Sequence, residues 1–414
     1  MSQLNPRRTI KRFTDTIDIL NLVLTDSMAH LQAATAAAQN NLELFVSRDL
    51  AFSEHDGRKQ YGFRNGTNGD SGQIYGLQEY SNFNFSKSNL ERTKAACKNL
   101  PASFFLALTG AYDDYLAGLV SVLSSFSAGQ IVSNSDSTIS SPLGGASIVH
   151  GDKRAKLAAS ACDRQIEWLE SKFCISLRGD FLVPELAELM ERKIAFVENE
   201  GTVSARYLDI CKACGISSGS FNVGDPLEID LKYFASARDV IYAGGVKLGY
   251  LLWRAVLPDQ TAKANGALQD VAFGLIQEQR YKLSRDLLRF ANAKALEQAD
   301  ANNRHVFLIN GALAAYLDGD PQECNRLLSM EDWAMTADIL KLAYSVLSEQ
   351  FAEAATLMRK IGSTSRPSKN EYLRWPLFTK FRTTTEFAAA FRETFGSITL
   401  SEAEVQLSEQ AVSA

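Results

Sequence analysis

The sequence predicts an all-α protein. Apolar residues recur at three- and four-residue spacing over most of the chain, no convincing run of alternating apolar and polar residues appears, and the 414 residues include only nine prolines, leaving room for long helices. The composition, 46% hydrophobic and 22% charged, is that of a folded chain. Its length exceeds one ordinary core, so two domains are expected, 1–260 and 261–414.

The first helix is expected within residues 8–50, where Phe13, Ile17, Leu20 and Val23 fall at helical spacing. The stretch "HDGRKQYGFRNGTNGDSGQIYG" is polar and Gly-rich and reads as a loop; without a Gly-Lys-Ser/Thr ending it is not a phosphate-binding loop. Residues 101–127 are apolar on nearly every side, as in a helix at the centre of a bundle. The Ser/Gly-rich segment 133–145 reads as a flexible excursion. Helices resume over 152–173 and from Pro184, which stands at a first-turn position. A further helix over 229–256 carries Ala243, Gly244, Gly245 and Gly249, a small-residue face suited to close helix packing.

Beyond residue 262 the pattern changes to helix pairs. Each has an apolar first helix, a short polar turn and a second helix with a Leu-Leu or Leu-Met doublet, at Leu287, Leu327 and Leu357. The spacings of 40 and 30 residues bracket the 34 of tetratricopeptide repeats, so a short, degenerate TPR-like array is expected. Such hairpins bury their apolar faces only against neighbours, and stacks of them usually hold a protein partner.

The net charge of −5 gives no overall attraction to nucleic acid, so any such contact has to come from a local basic patch. No N-terminal stretch reads as a secretion signal and no apolar run is long enough to span a bilayer, so a cytoplasmic protein without a membrane partner is expected. Six cysteines are too sparse for a disulfide framework. Cys211 and Cys214 form a C-x-x-C without a second pair at suitable spacing; they read as small buried side chains, and no metal or other cofactor is expected.

The stretch "ERKIAFVENEG" (191–201) raises the question of a site. Leu186, Leu189, Met190, Ile194 and Val197 form the expected buried stripe, and Gly201 stands just past the helix end, where positive φ is needed. Arg192, Glu198 and Asn199 then rim one end of the helix. One explanation is plain: Glu188 precedes Arg192 by four residues, the orientation of a surface ion pair contributing about 0.2–0.5 kcal/mol. Glu198 is less easily explained, because a carboxylate in the last turn faces the negative end of the helix dipole.

Together "CDRQIEWLESKFCISL", "LAELMERKIAFVENEGTVSARYL" and "GDPLEIDLKYFASARDVI" resemble the HEPN domains of the RiboL-PSP type, an all-α ribonuclease-like family, over roughly residues 100–258. The family signature is an arginine followed after four to six residues by a histidine, in a phrase like R-N-x-I-V-H-N-x-G-x-V-x-x-x-Y-L. Arg192, Val197, Asn199, Gly201, Val203, Tyr207 and Leu208 align with it, but Glu198 stands where the histidine belongs and Lys193 follows the arginine. The closing "EYLRWPLFTKFRTTTEFAAAFRETFG" resembles the tail of HEPN proteins that carry helical repeats.

The resemblance implies metal-independent RNA cleavage, with Arg192 steadying the phosphate and residue 198 moving protons, in a homodimer with Arg192 of both chains near the axis. A solvated glutamate, whose ordinary pKa is about 4.3, accepts a proton at neutral pH but does not donate one, so the substitution argues for lost or altered activity. Asp113 and Asp114, inside the apolar helix, are candidates to face Arg192. Over 359–382 lie seven basic residues, Arg374, Lys380 and Arg382 among them, against the single Glu371, with Tyr372, Trp375, Phe378 and Phe381 interleaved. Such a run can bind RNA by phosphate contact and base stacking, or can simply close the end of the array.

The expectation is therefore a HEPN-like bundle followed by the TPR-like array, an RNA-associated protein of the bacterial toxin or phage-defence type. The candidate catalytic residues are Arg192, Glu198 and Asn199. The candidate RNA-binding residues are Arg192, Lys193, Arg374, Lys380 and Arg382. Two alternatives stay open: an active endoribonuclease, and an adaptor that binds a protein through its repeats.

Overall fold

The computed structural model describes residues 5–47, 50–55, 58–63, 71–127, 161–173, 183–216, 221–295 and 301–396. The fold is all-α, with one small hairpin among the described residues. Helix α1 (Pro6–Ser47) lies along α2 (Ser71–Ser127), which runs through Pro101. Between them β1 (Leu50–His55) and β2 (Arg58–Phe63) pair antiparallel, Phe52 opposite Tyr61. The segment read as a loop is thus in part a strand. Asp56-Gly57 stands between the two strands, and Asp-Gly is among the dipeptides most favoured in two-residue hairpins.

The buried stripe of α1 is Ile10, Phe13, Ile17, Leu24 and Met28, and Val23 is exposed. It packs against Phe105, Leu108, Tyr112, Tyr115 and Leu119 of α2 and against α6 (Leu231–Val256), whose N-cap Asp230 accepts from the Tyr233 amide at 2.6 Å. The glycines of α6 set this crossing. A Cβ on Gly245 would lie 2.3 Å from the Phe13 ring, and one on Gly249 would lie 2.2 Å from the Tyr115 hydroxyl. That hydroxyl donates to the Gly245 carbonyl at 2.9 Å, satisfying a group that would otherwise be orphaned in the core.

Helices α3 (Ala161–Phe173), α4 (Val183–Glu198) and α5 (Ala205–Ala213) complete the bundle. All seven residues from 186 to 192 are buried, so α4 is enclosed in its middle and emerges only at its ends, with Val197 63% exposed. The chain leaves α4 through Glu200 (φ 53°) and Gly201 (φ 73°), the Gly201 amide closing on the Ala195 carbonyl at 2.9 Å.

Residue 260 ends a short 3-10 turn, Pro258–Gln260, and the core is continuous across it. Buried Lys247 of α6 reaches Asp286 at 2.6 Å. Three hairpins follow: α7 (Thr261–Gln277) with α8 (Tyr281–Ala295), α9 (Ala301–Leu317) with α10 (Pro321–Leu328), and α11 (Asp338–Leu347) with α12 (Phe351–Ile361). Their turns share one geometry. Gln279, Gly319 and Glu349 have φ of 60°, 77° and 58°, and the next residue donates its amide back five positions, to Leu275, Ala315 and Ser345 at 2.8, 2.9 and 2.8 Å. Each Leu-Leu or Leu-Met doublet begins eight residues after the positive-φ residue, and all six side chains are buried.

The chain closes with α13 (Lys369–Arg374), two 3-10 turns and α14 (Thr385–Phe395). Tyr372, Phe378, Phe381, Phe387 and Phe391 form a buried aromatic cap over α11 and α12.

Candidate functional site

Arg192 sits in the enclosed part of α4. Its Nε donates to Glu188 Oε1 at 2.8 Å, one terminal nitrogen to the Glu228 carbonyl at 3.0 Å and the other to the Tyr207 hydroxyl at 2.8 Å. The guanidinium lies 4.0 Å from the centre of the Tyr233 ring, within cation–π range. Glu188 is as fully engaged: it also accepts from the Tyr207 hydroxyl at 2.5 Å on Oε1 and from the Tyr233 hydroxyl at 2.7 Å on Oε2. The arginine and glutamate side chains are 9% and 10% exposed.

Sequence placement explains the cluster. Glu188 and Arg192 are one helical turn apart on a helix buried all round, Tyr207 comes from α5, and Tyr233 opens α6 beneath its Asp230 cap. A charge in such a place needs both an opposite charge and hydrogen bonds, and here four groups supply them. Burial opposes the arginine's charge, but Tyr233, Glu188 and Tyr207 favour it more and hold its pKa above the ordinary value. Burial and the neighbouring Glu188 push both tyrosine hydroxyls well above theirs, so they remain donors. Cys211 lies beside the cluster, and burial raises its thiol pKa as well. No three His, Cys, Asp or Glu side chains stand close enough together to hold a metal among the described residues.

Two further charges of α4 are engaged too. Buried Glu191 takes a two-pronged contact from Arg206, at 2.9 and 2.8 Å. Lys193 pairs with Asp113, so of the two aspartates in α2 one reaches the neighbour of Arg192, and Asp114 is exposed. Glu198 and Asn199 are exposed at the end of the helix, and neither is among the groups to which the guanidinium donates. The structure thus brings Arg192 together with Glu188, Tyr207 and Tyr233, not with Glu198 and Asn199. Tyr207 was in the sequence pattern; the tyrosine at 233 had no signal beyond its place three residues after a capping aspartate.

A groove of about 400 Å³ runs between α2 and residues 227–232, lined by Met28, Pro101, Phe196 and Lys232 among others; neither Arg192 nor Glu198 lines it. In the C-terminal basic run, Arg359 pairs with Glu393 at 2.5 Å, Lys360 with Asp338 at 2.9 Å and Lys380 with Glu349 at 2.5 Å. Arg382 donates to the carbonyls of Tyr372 and Trp375 at 3.3 and 3.0 Å. Arg374 is exposed beside half-buried Trp375, whose ring stacks parallel to Phe378. Among the described residues no helix is long and apolar enough to cross a membrane. No family model, curated protein or solved structure matches the chain.

Proposed function

We propose that this chain acts by binding and not by cutting: a HEPN-like bundle whose arginine has become a structural residue, joined to a TPR-like array that holds a protein partner. The observation that carries this reading is the closed cluster around Arg192. A phosphate approaching that guanidinium has to displace Glu188, whose two oxygens hold three hydrogen bonds. It also has to enter a site where each arginine nitrogen already donates. Acid–base catalysis further needs a group that accepts and donates near neutral pH, and the tyrosine hydroxyls at this site are held far above that range.

The array supports the binding half of the proposal. Three hairpins with one turn geometry and buried doublets build an extended surface by nearest-neighbour stacking, the architecture that serves partner recognition. A second reading, in which the partner is RNA and the protein belongs to the toxin or phage-defence class, is favoured by exposed Arg374, which precedes the half-buried Trp375 in the chain, a cation and an aromatic residue in succession. Lys380 and Arg382 support it less, since their charges are engaged with Glu349 and with backbone carbonyls.

One experiment separates these readings. End-labelled transfer RNA and total RNA are incubated with the full chain at neutral pH, with and without divalent metal, and in parallel run on native gels. The expected result is intact RNA and no shift at about 150 mM salt. Cleavage that Arg192→Lys abolishes in a folded protein overturns the proposal. A shift that Arg374→Glu removes, without cleavage, moves the conclusion to RNA binding.

A further inference from the structure

Helix α1 has apolar residues on two opposite faces. Ile10, Phe13, Ile17, Leu24 and Met28 enter the core. Ile19, Leu22 and Val23 are 59%, 60% and 45% exposed. With a step of about 100° per residue, Ile19 is turned roughly 200° from Ile17, so this patch points directly away from the chain's own core. An amphipathic helix ordinarily carries charge there.

Charge instead flanks the patch symmetrically. Arg12 lies seven residues before Ile19 and Asp26 seven residues after it, two turns in either direction and on the same face. Both are exposed, and neither has a charged partner among the described residues. Three of their neighbours differ, Arg7 pairing with Asp270, Lys11 with Asp15 and Asp18 with Arg280, while Arg8 is exposed and, like Arg12, has no charged partner among the described residues. The face is therefore complementary to itself when reversed.

We infer that a second copy of the chain docks here, α1 against α1 in antiparallel orientation, with a two-fold axis passing Ile19. In that register residue n faces residue 38 − n of the other copy. Ile19 meets its own counterpart, Arg12 meets Asp26 of the partner subunit, and symmetry makes the ion pair twice. The apolar patch is covered at the centre and the charges close its two ends. A slip of one turn in one direction sets Arg12 opposite His30 and Asp26 opposite Thr16, losing both pairs; the opposite slip sets Asp26 against Arg8 and leaves Arg12 facing Leu22, so the centred register is the one of these three that pairs Arg12 with Asp26 and brings Ile19 to its own counterpart. This contact is on α1 and leaves Arg192 inside its own chain, unlike a dimer joined at the arginine helix. It does not rest on the proposed function.

Sedimentation equilibrium of the full chain tests the inference. A contact along one helix is small, so a dimer with a Kd of roughly micromolar order is expected, dissociating on dilution. Arg12→Asp and Asp26→Arg each set like charges opposite one another twice, and each variant is expected to be monomeric at concentrations where the parent is dimeric. The double variant restores both pairs with their direction exchanged and is expected to dimerise again. Both substituted positions are on the surface, and circular dichroism checks that each variant folds. A parent that stays monomeric at about 100 µM, single variants that stay dimeric, or a double variant that stays monomeric overturns the proposal.

Discussion

The two halves of the molecule are tied together at different ranges along the chain. In the first, Tyr115 donates to the carbonyl of Gly245, and Arg238 reaches Asn21 at 2.7 Å, with 130 and 217 residues between partners. In the second, Arg285 reaches Asp318 and Asp320 at 2.6 Å, Tyr316 reaches Glu349 at 3.1 Å, and Arg359 reaches Glu393, at intervals of 33–35 residues. The bundle is held by a few close approaches that have no substitute elsewhere. The array repeats one local solution, so each contact has counterparts. A single change should therefore be felt throughout the bundle and stay local in the array.

The largest contrast is expected from removing one paired arginine from each half, Arg192 being buried and Arg285 partly exposed. Arg192→Ala leaves Glu188 buried with its charge uncompensated, and a loss of about 3–5 kcal/mol is expected. Arg285→Ala leaves Asp318 and Asp320 in partial contact with solvent, and about 1 kcal/mol is expected. Urea unfolding of the two full-length variants measures both. Equal losses contradict the distinction between irreplaceable and repeated contacts.

A smaller effect sharpens it by testing backbone approach. Gly245→Ala drives a methyl group into the Phe13 ring, and a cost of roughly 1–3 kcal/mol or more is expected. Gly274→Ala in α7 meets nothing within 4 Å, and the better helix propensity should stabilise by up to about 1 kcal/mol. Thermal melts of both variants should therefore move in opposite directions, and a shared direction removes the basis for reading the α6 glycines as a packing surface.

The same contrast governs what the sequence made legible. The hairpins of the array were visible because their doublets recur, yet the turn that places them was not: its left-handed position holds Gln279, Gly319 and Glu349, and only one of these is glycine. The small-residue face of α6 was legible because nothing but close packing explains Gly245 and Gly249 in a helix. The first hairpin was missed although Asp-Gly separates the two strands. At α4 the pair of Glu188 and Arg192 was read as a surface contact from its four-residue spacing. Spacing sets which groups meet, but burial is set by α5 and α6, whose tyrosines come from 15 and 41 residues further along. Val197 was assigned to the buried stripe by periodicity and is exposed because α4 leaves the bundle at that point.

The smallest effect expected is on acid stability, and its sign differs between the halves. In the array the backbone amide of Glu323, with Arg285, holds the Asp320 carboxyl below its ordinary value; Arg326 does so for Glu323, Lys380 for Glu349 and Arg359 for Glu393. A carboxyl with a lowered folded pKa stabilises above its ordinary value, and that contribution is lost as the pH falls through the folded pKa. The array should therefore weaken below about pH 4. In the bundle, burial raises Asp18 despite Arg280. A raised folded pKa has the opposite sign: its contribution is fully present below the ordinary value and is lost as the pH rises through the raised one, so acidification favours the folded bundle at that residue. The array carboxylates are largely exposed, so each contributes little, and only their common direction makes the effect measurable. Hydrogen exchange at matched intrinsic rates between about pH 5 and pH 3.5 should show α9, α10 and α12 losing protection before α2 and α6. Loss of protection in α6 first would mean that the long-range contacts, and not the repeated ones, carry the acid-sensitive charges.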